Sequence, residues 1–130
     1  MATFQRFEDI LAWQKARILC KLLNGYTLKN QFSKDFKLVG QIKGSSGSAM
    51  DNIAEGFERG GNKEFIQFLF ISKGSAGETR SQLYRALDNE YISEEEFQTA
   101  YNLAEEVSKL VAGLISHLKS SDIKGDKYKL

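Results

Sequence analysis

The sequence predicts an all-α protein, an antiparallel up-down four-helix bundle, from three observations. The 130 residues include no proline, so nothing removes a backbone donor from a long helix. Three clusters of glycine, asparagine and serine divide the chain into four long segments. Each segment repeats apolar residues at helical spacing, and short links between long helices make neighbours antiparallel.

In the first segment Phe7, Leu11, Ile18 and Leu22 share a face and are expected in the core, with Leu19, Leu23, Tyr26 and Trp13 off it. The first break runs from Asn24-Gly25 through Asn30 to Ser33, with Ser33 as the expected N-cap of the second helix. That helix carries Val39, Ile42, Ala49, Ile53 and Phe57. Gly60-Gly61-Asn62 is the second break, and Asn62 is the expected next cap. The third stripe is Phe65, Phe68, Leu69, Ala76, Leu83 and Leu87. After Asp88-Asn89, the run Ser93-Glu94-Glu95-Glu96 spells a capping box, in which hydroxyl and carboxylate satisfy each other's orphan N–H groups. Leu103, Val107, Leu110, Leu114 and Leu118 follow. Residues 1–120 are expected to form the bundle as one domain, and 121–130 a flexible polar tail.

Two features predict assembly with further copies. On the third helix Ile66, Phe70, Gly77 and Tyr84 gather about 120° from the core stripe, a second apolar face that asks for cover. Gly40, Gly44, Gly47, Gly56, Gly74 and Gly77 all fall inside expected helices. Each costs about 1 kcal/mol relative to alanine, which close approach of another helix would offset. Ile66, Phe70, Gly77 and Tyr84 are therefore the expected subunit interface. The alternative is a monomer with a mobile second helix.

The chemistry-bearing residues point away from catalysis. On the second helix Ser45, Ser48, Asn52, Glu55 and Arg59 share a face, with Glu55 and Arg59 in ion-pair spacing. On the third, Ser75, Glu78, Gln82 and Arg85 do the same. A di-iron bundle needs two Glu-x-x-His motifs. His117 is the one histidine, with no acidic residue three positions before it. The favoured role for these faces is a polar network that sets helix register. No catalytic, cofactor or metal residue is assigned, and no glycine run forms a phosphate loop.

Net charge is +1, but residues 1–30 hold five basic side chains against two acidic. Arg6, Arg17 and Lys21 fall within roughly 60° on the first helix, a patch suited to phosphates. The lone Cys20 excludes an internal disulfide and fits a reducing cytoplasm. No apolar run suits a membrane span. A cytoplasmic location is expected.

Several stretches together resemble a bacterial family. They are Phe7-Glu8-Asp9-Ile10-Leu11-Ala12-Trp13-Gln14, then Gln41-Ile42 and Ser48-Ala49-Met50-Asp51-Asn52-Ile53-Ala54-Glu55-Gly56. Phe65-Ile66-Gln67-Phe68-Leu69, Gly74-Ser75-Ala76-Gly77-Glu78 and Tyr91-Ile92 complete the set. Over about residues 4–118 the chain resembles the four-helix-bundle proteins encoded in intervening sequences of large-subunit ribosomal RNA genes. That family includes the accessory variability determinant of diversity-generating retroelements. The resemblance implies a pentameric ring and, in the retroelement branch, a basic barrel that binds nucleic acid and the reverse transcriptase. The near-neutral charge departs from that branch. Asn52, Glu55, Gly56, Arg59 and Glu78 are expected to be structural.

The expected function is a non-enzymatic homo-oligomeric scaffold that binds RNA or a nucleoprotein partner such as a reverse transcriptase, with Arg6, Arg17 and Lys21 as contacts. The alternative is a protein–protein interaction module without nucleic acid. Neither needs a cofactor or a membrane.

Overall fold

The computed structural model describes residues 4–123 and is all-helical there. A 3-10 turn, Phe7–Asp9, leads into α1, Leu11–Tyr26. A five-residue α2, Asn30–Lys34, precedes α3, Phe36–Glu58. The chain then forms α4, Asn62–Asp88, and α5, Glu94–Ile123. The four long helices pack as a ring of neighbours, α1 on α3, α3 on α4, α4 on α5 and α5 on α1. Cross-links between helices fix the antiparallel sense. Ser45 meets Thr79 while Ser48 meets Ser75, and Tyr26 reaches Glu96 while Lys15 reaches Glu106.

Local chemistry explains most boundaries. The capping box at α5 forms in both directions, Ser93 N–H donating to Glu96 Oε1 at 2.9 Å and Glu96 N–H to Ser93 Oγ at 3.0 Å. Two expected caps differ. Asp35, not Ser33, caps α3, accepting from Leu38 N–H at 3.0 Å, because Ser33 is taken up inside α2. A helix this short is not stable alone. It is held by the fully buried Phe32, which stacks on Tyr91 at 5.2 Å. Gly61, not Asn62, occupies the cap position of α4. Asn62 is instead buried, and its Nδ2 donates to the Leu118 carbonyl at 3.2 Å. Gly60 turns the α3–α4 link at φ +89, where glycine meets no Cβ penalty.

The core has two apolar clusters. One gathers Ala12, Ala16, Ala49, Ile53, Phe65, Leu69 and residues of α5 around Val111. The other gathers Leu19, Leu23, Phe32, Leu38, Ile42, Leu83 and residues of α5 around Ala100. Each large side chain so enclosed contributes about 1.5–3 kcal/mol. Of the stripes read for α3 and α4, Ile42, Ala49, Ile53, Phe65, Leu69, Ala76 and Leu83 are buried, and Val39, Phe57, Phe68 and Leu87 are half-buried.

The α1 stripe is a correction. Phe7 and Leu22 pack half-buried against the core, but Leu11 and Ile18 are half exposed, and the buried line is Ala12, Ala16, Leu19, Leu23 and Tyr26. The helix is turned by about 100°, one residue step. Alanines at positions 12 and 16 give α1 its approach to the bundle, which places the bulkier Leu11 and Ile18 at the rim. On α5 Val107 and Leu118 are buried as expected. Phe97, Ala100, Ala104, Val111 and Ile115 complete that line, while Leu103, Leu110 and Leu114 flank it half-buried. The expected tail, 121–130, lies largely outside the described residues, and α5 continues to Ile123.

Candidate functional site

The α3–α4 seam is polar at its centre. Ser45 Oγ donates to Gln82 Oε1 at 2.6 Å and lies 2.8 Å from Thr79 Oγ1. One turn along, Ser48 and Ser75 hydroxyls are 2.8 Å apart, and Asn52 Nδ2 donates to the Ser48 carbonyl and hydroxyl at 2.8 and 3.0 Å. Ser72 donates to the Ala49 carbonyl at 2.6 Å. Gly56 closes the row. A Cβ there would stand 2.7 Å from Phe68 Cβ and 3.0 Å from Phe65 Cδ1.

The seam's carboxylates are at the surface. Glu55 pairs with Arg59 at 3.0 Å, and Arg59 also approaches Glu64 at 3.7 Å. Glu78 is exposed and accepts from Gln82 Nε2 at 3.4 Å. The buried interior therefore holds neutral hydroxyls and amides that satisfy one another. Such an arrangement fixes register between the two helices. Among the described residues no three His, Cys, Asp or Glu side chains gather as a metal site. Cys20 is half-buried beside Ser46, and burial pushes its thiol above the ordinary range.

Of the four expected interface residues, Phe70 and Tyr84 meet α5. Tyr84 packs at a tilt on Phe97 at 4.9 Å and edge-on to Tyr101 at 5.7 Å, yet stays half exposed. Phe70 is half exposed under the Lys119 ammonium at 5.1 Å, beside an opening of about 300 Å3 lined also by Lys73, Ala112, Ile115 and Ser116. Ile66 is half-buried against the core, and a Cβ on Gly77 would meet only the Arg80 guanidinium, at 3.8 Å. So α5 itself supplies part of the cover that the second apolar face requires. Gly40, Gly44, Gly47 and Gly74 meet nothing within 4 Å among the described residues, and no described helix explains them.

Of the three expected nucleic-acid contacts, two come together. Arg17 and Lys21 lie one turn apart on α1 and, with Trp13, Gln14 and Ile18, line an open concavity of about 330 Å3. The Arg17 guanidinium sits over the Trp13 ring, 5.9 Å from its centre. Neither cation forms an ion pair among the described residues. Arg6 stands apart. It precedes α1 in extended backbone, and Glu8 binds it at 3.2 Å. The helical alignment that joins it to Arg17 fails because α1 begins only at Leu11.

Sequence reasoning passes over Leu28 and Phe36, at 80% and 82% exposure the barest large apolar residues described. Phe36 follows the Asp35 cap directly, a cue that places it in a first turn, where side chains often face solvent. Thr79 carries no such cue, although it is fully buried in the seam.

These features define a small all-helical protein built round a hydrogen-bonded helix seam. The chain belongs to the family of 23S rRNA-intervening sequence proteins, whose model matches residues 8–113, as the motif resemblance implied. It is also similar to a protein of unknown function from the S23 ribosomal protein family of Bacteroides thetaiotaomicron, at 27% identity. That likeness covers 82% of this chain and 96% of the other, with a TM-score of 0.75. No curated protein matches the sequence. Among the described residues no helix is long and apolar enough to cross a membrane.

Proposed function

We propose that the protein is a non-enzymatic, homo-oligomeric helical scaffold whose α1 face binds RNA, free or within a nucleoprotein such as one containing a reverse transcriptase. One observation carries the binding role. Arg17 and Lys21 flank Trp13 on an open surface, without the acidic partners that occupy Arg6, Lys15, Lys29 and Arg59. Unpaired cations beside an aromatic face suit a phosphate backbone carrying bases. Net charge is near zero, so one chain offers few contacts, and repetition of the patch in an assembly raises its effective strength.

Half-exposed Phe70, Ile71 and Tyr84 on α4 support assembly, since large apolar side chains on one helix are usually covered. Five copies is the number the family resemblance suggests. Light scattering tests the assembly directly, and a monomer mass at micromolar concentration would refute it. For RNA, the test is salt-dependent binding that disappears in an Arg17→Ala/Lys21→Ala variant.

A second reading, a protein-binding module with no nucleic-acid contact, draws on Leu28 and Phe36. Two bare apolar side chains close together in sequence offer apolar surface for a protein partner to cover. Absence of RNA binding at about 50 mM salt would favour it.

A further inference from the structure

We infer that the α1 concavity holds one unpaired nucleobase, stacked on Trp13 with Arg17 and Lys21 at its sides, so that the RNA recognised has single-stranded or extruded bases. This rests on the RNA reading above and narrows it. Trp13 is partly buried, packed against the core and braced edge-on by Phe7 at 5.1 Å and 65°. A braced indole is a platform that loses little freedom on binding. The Arg17 guanidinium lies over it, 5.9 Å from the ring centre. A planar base in contact with both needs about 7 Å between their planes, twice a van der Waals spacing, so the exposed Arg17 side chain has to swing outward to admit it.

The remaining lining fits the same occupant. Ile18 is half exposed and apolar. Gln14 spends its Nε2 on the Glu8 carbonyl at 2.8 Å, which leaves its Oε1 to accept from a base edge. Lys21, a turn beyond Arg17, offers a point charge to a neighbouring phosphate. No carboxylate lines the site. In each copy two free cations contribute only part of the affinity, because each phosphate contact supplies a fraction of it. Stacking has to supply the rest, and a duplex hides the base faces that stack.

Trp13 is the single tryptophan, so its fluorescence reports on the site. The full chain is titrated with labelled oligoadenylate and with a blunt RNA duplex of equal length, followed by anisotropy and by Trp13 emission. Oligoadenylate is expected to bind more tightly than the duplex and to quench Trp13. Trp13→Leu is expected to weaken oligoadenylate binding about five- to hundredfold, Trp13→Phe to retain most of it, and duplex binding to move with neither. Unchanged oligoadenylate binding in Trp13→Leu, with Arg17→Ala/Lys21→Ala still defective, overturns the stacking site and leaves the RNA reading intact. Equal weakening of both ligands in Trp13→Leu also overturns it, as Trp13 would then act only on the fold of α1. If the unaltered chain binds neither RNA at about 50 mM salt, the RNA reading fails and the stacking site fails with it.

Discussion

Gly56 and Phe68 touch so closely that a Cβ on the glycine would lie 2.7 Å from the Phe68 Cβ. Both atoms sit next to backbone, so no flexible side-chain end can yield. The α3–α4 spacing at this end is set by a missing methyl group. Gly56→Ala gains about 1 kcal/mol in helix propensity but forces an overpacked contact that typically costs about 1–3 kcal/mol. We expect a net loss of stability, read as a lower urea midpoint.

Gly44→Ala should go the other way in an isolated chain, since its Cβ would meet nothing. The expected gain is about 1 kcal/mol. If another copy packs on this face, the same substitution lowers stability instead, and denaturation measured at several protein concentrations separates the two cases.

Ser45 joins Thr79 and Gln82 across the buried seam. Ser45→Ala leaves the Gln82 Oε1 without its donor, and an unsatisfied buried polar group costs about 1–3 kcal/mol. A chemical-denaturation curve for this variant should shift by that amount without a change in slope.

Asp35 predicts an acid-sensitive joint. The Leu38 N–H, and then the Tyr91 hydroxyl at 2.9 Å, hold its carboxyl below the usual carboxylate range. Glu96 is lowered likewise, first by Lys29 and then by the Ser93 backbone. For a carboxyl depressed on folding, the added stability is complete above the unfolded pKa and vanishes as pH falls through the folded one. Thermal stability should therefore decline as pH drops through and below the ordinary carboxylate range. Asp35→Asn should flatten part of that decline while lowering stability at neutral pH.

Local signals are legible in the sequence, and long-range ones are not. Ser93 and Glu96 announce their box within four residues, and the Gly60-Gly61 pair marks its turn. The α3 and α4 stripes can be read because large residues lie on the buried side. The α1 face misleads because Ala12 and Ala16 carry little hydrophobic weight, while Leu11 and Ile18 carry much and sit at the rim. Arg6 joins Arg17 only on a helix that in fact starts five residues later. The seam's partners, Ser45 with Thr79 and Ser48 with Ser75, depend on the register between two helices, which periodicity within one helix cannot supply.

The most direct test of the central claim is the salt dependence of RNA binding by the full chain, compared with Arg17→Ala/Lys21→Ala. Measurable binding is predicted at about 50 mM salt, with a log–log slope shallower in the variant by about 0.7–0.9 for each phosphate that Arg17 or Lys21 neutralises. An unchanged slope, or no binding by the unaltered chain, would contradict it.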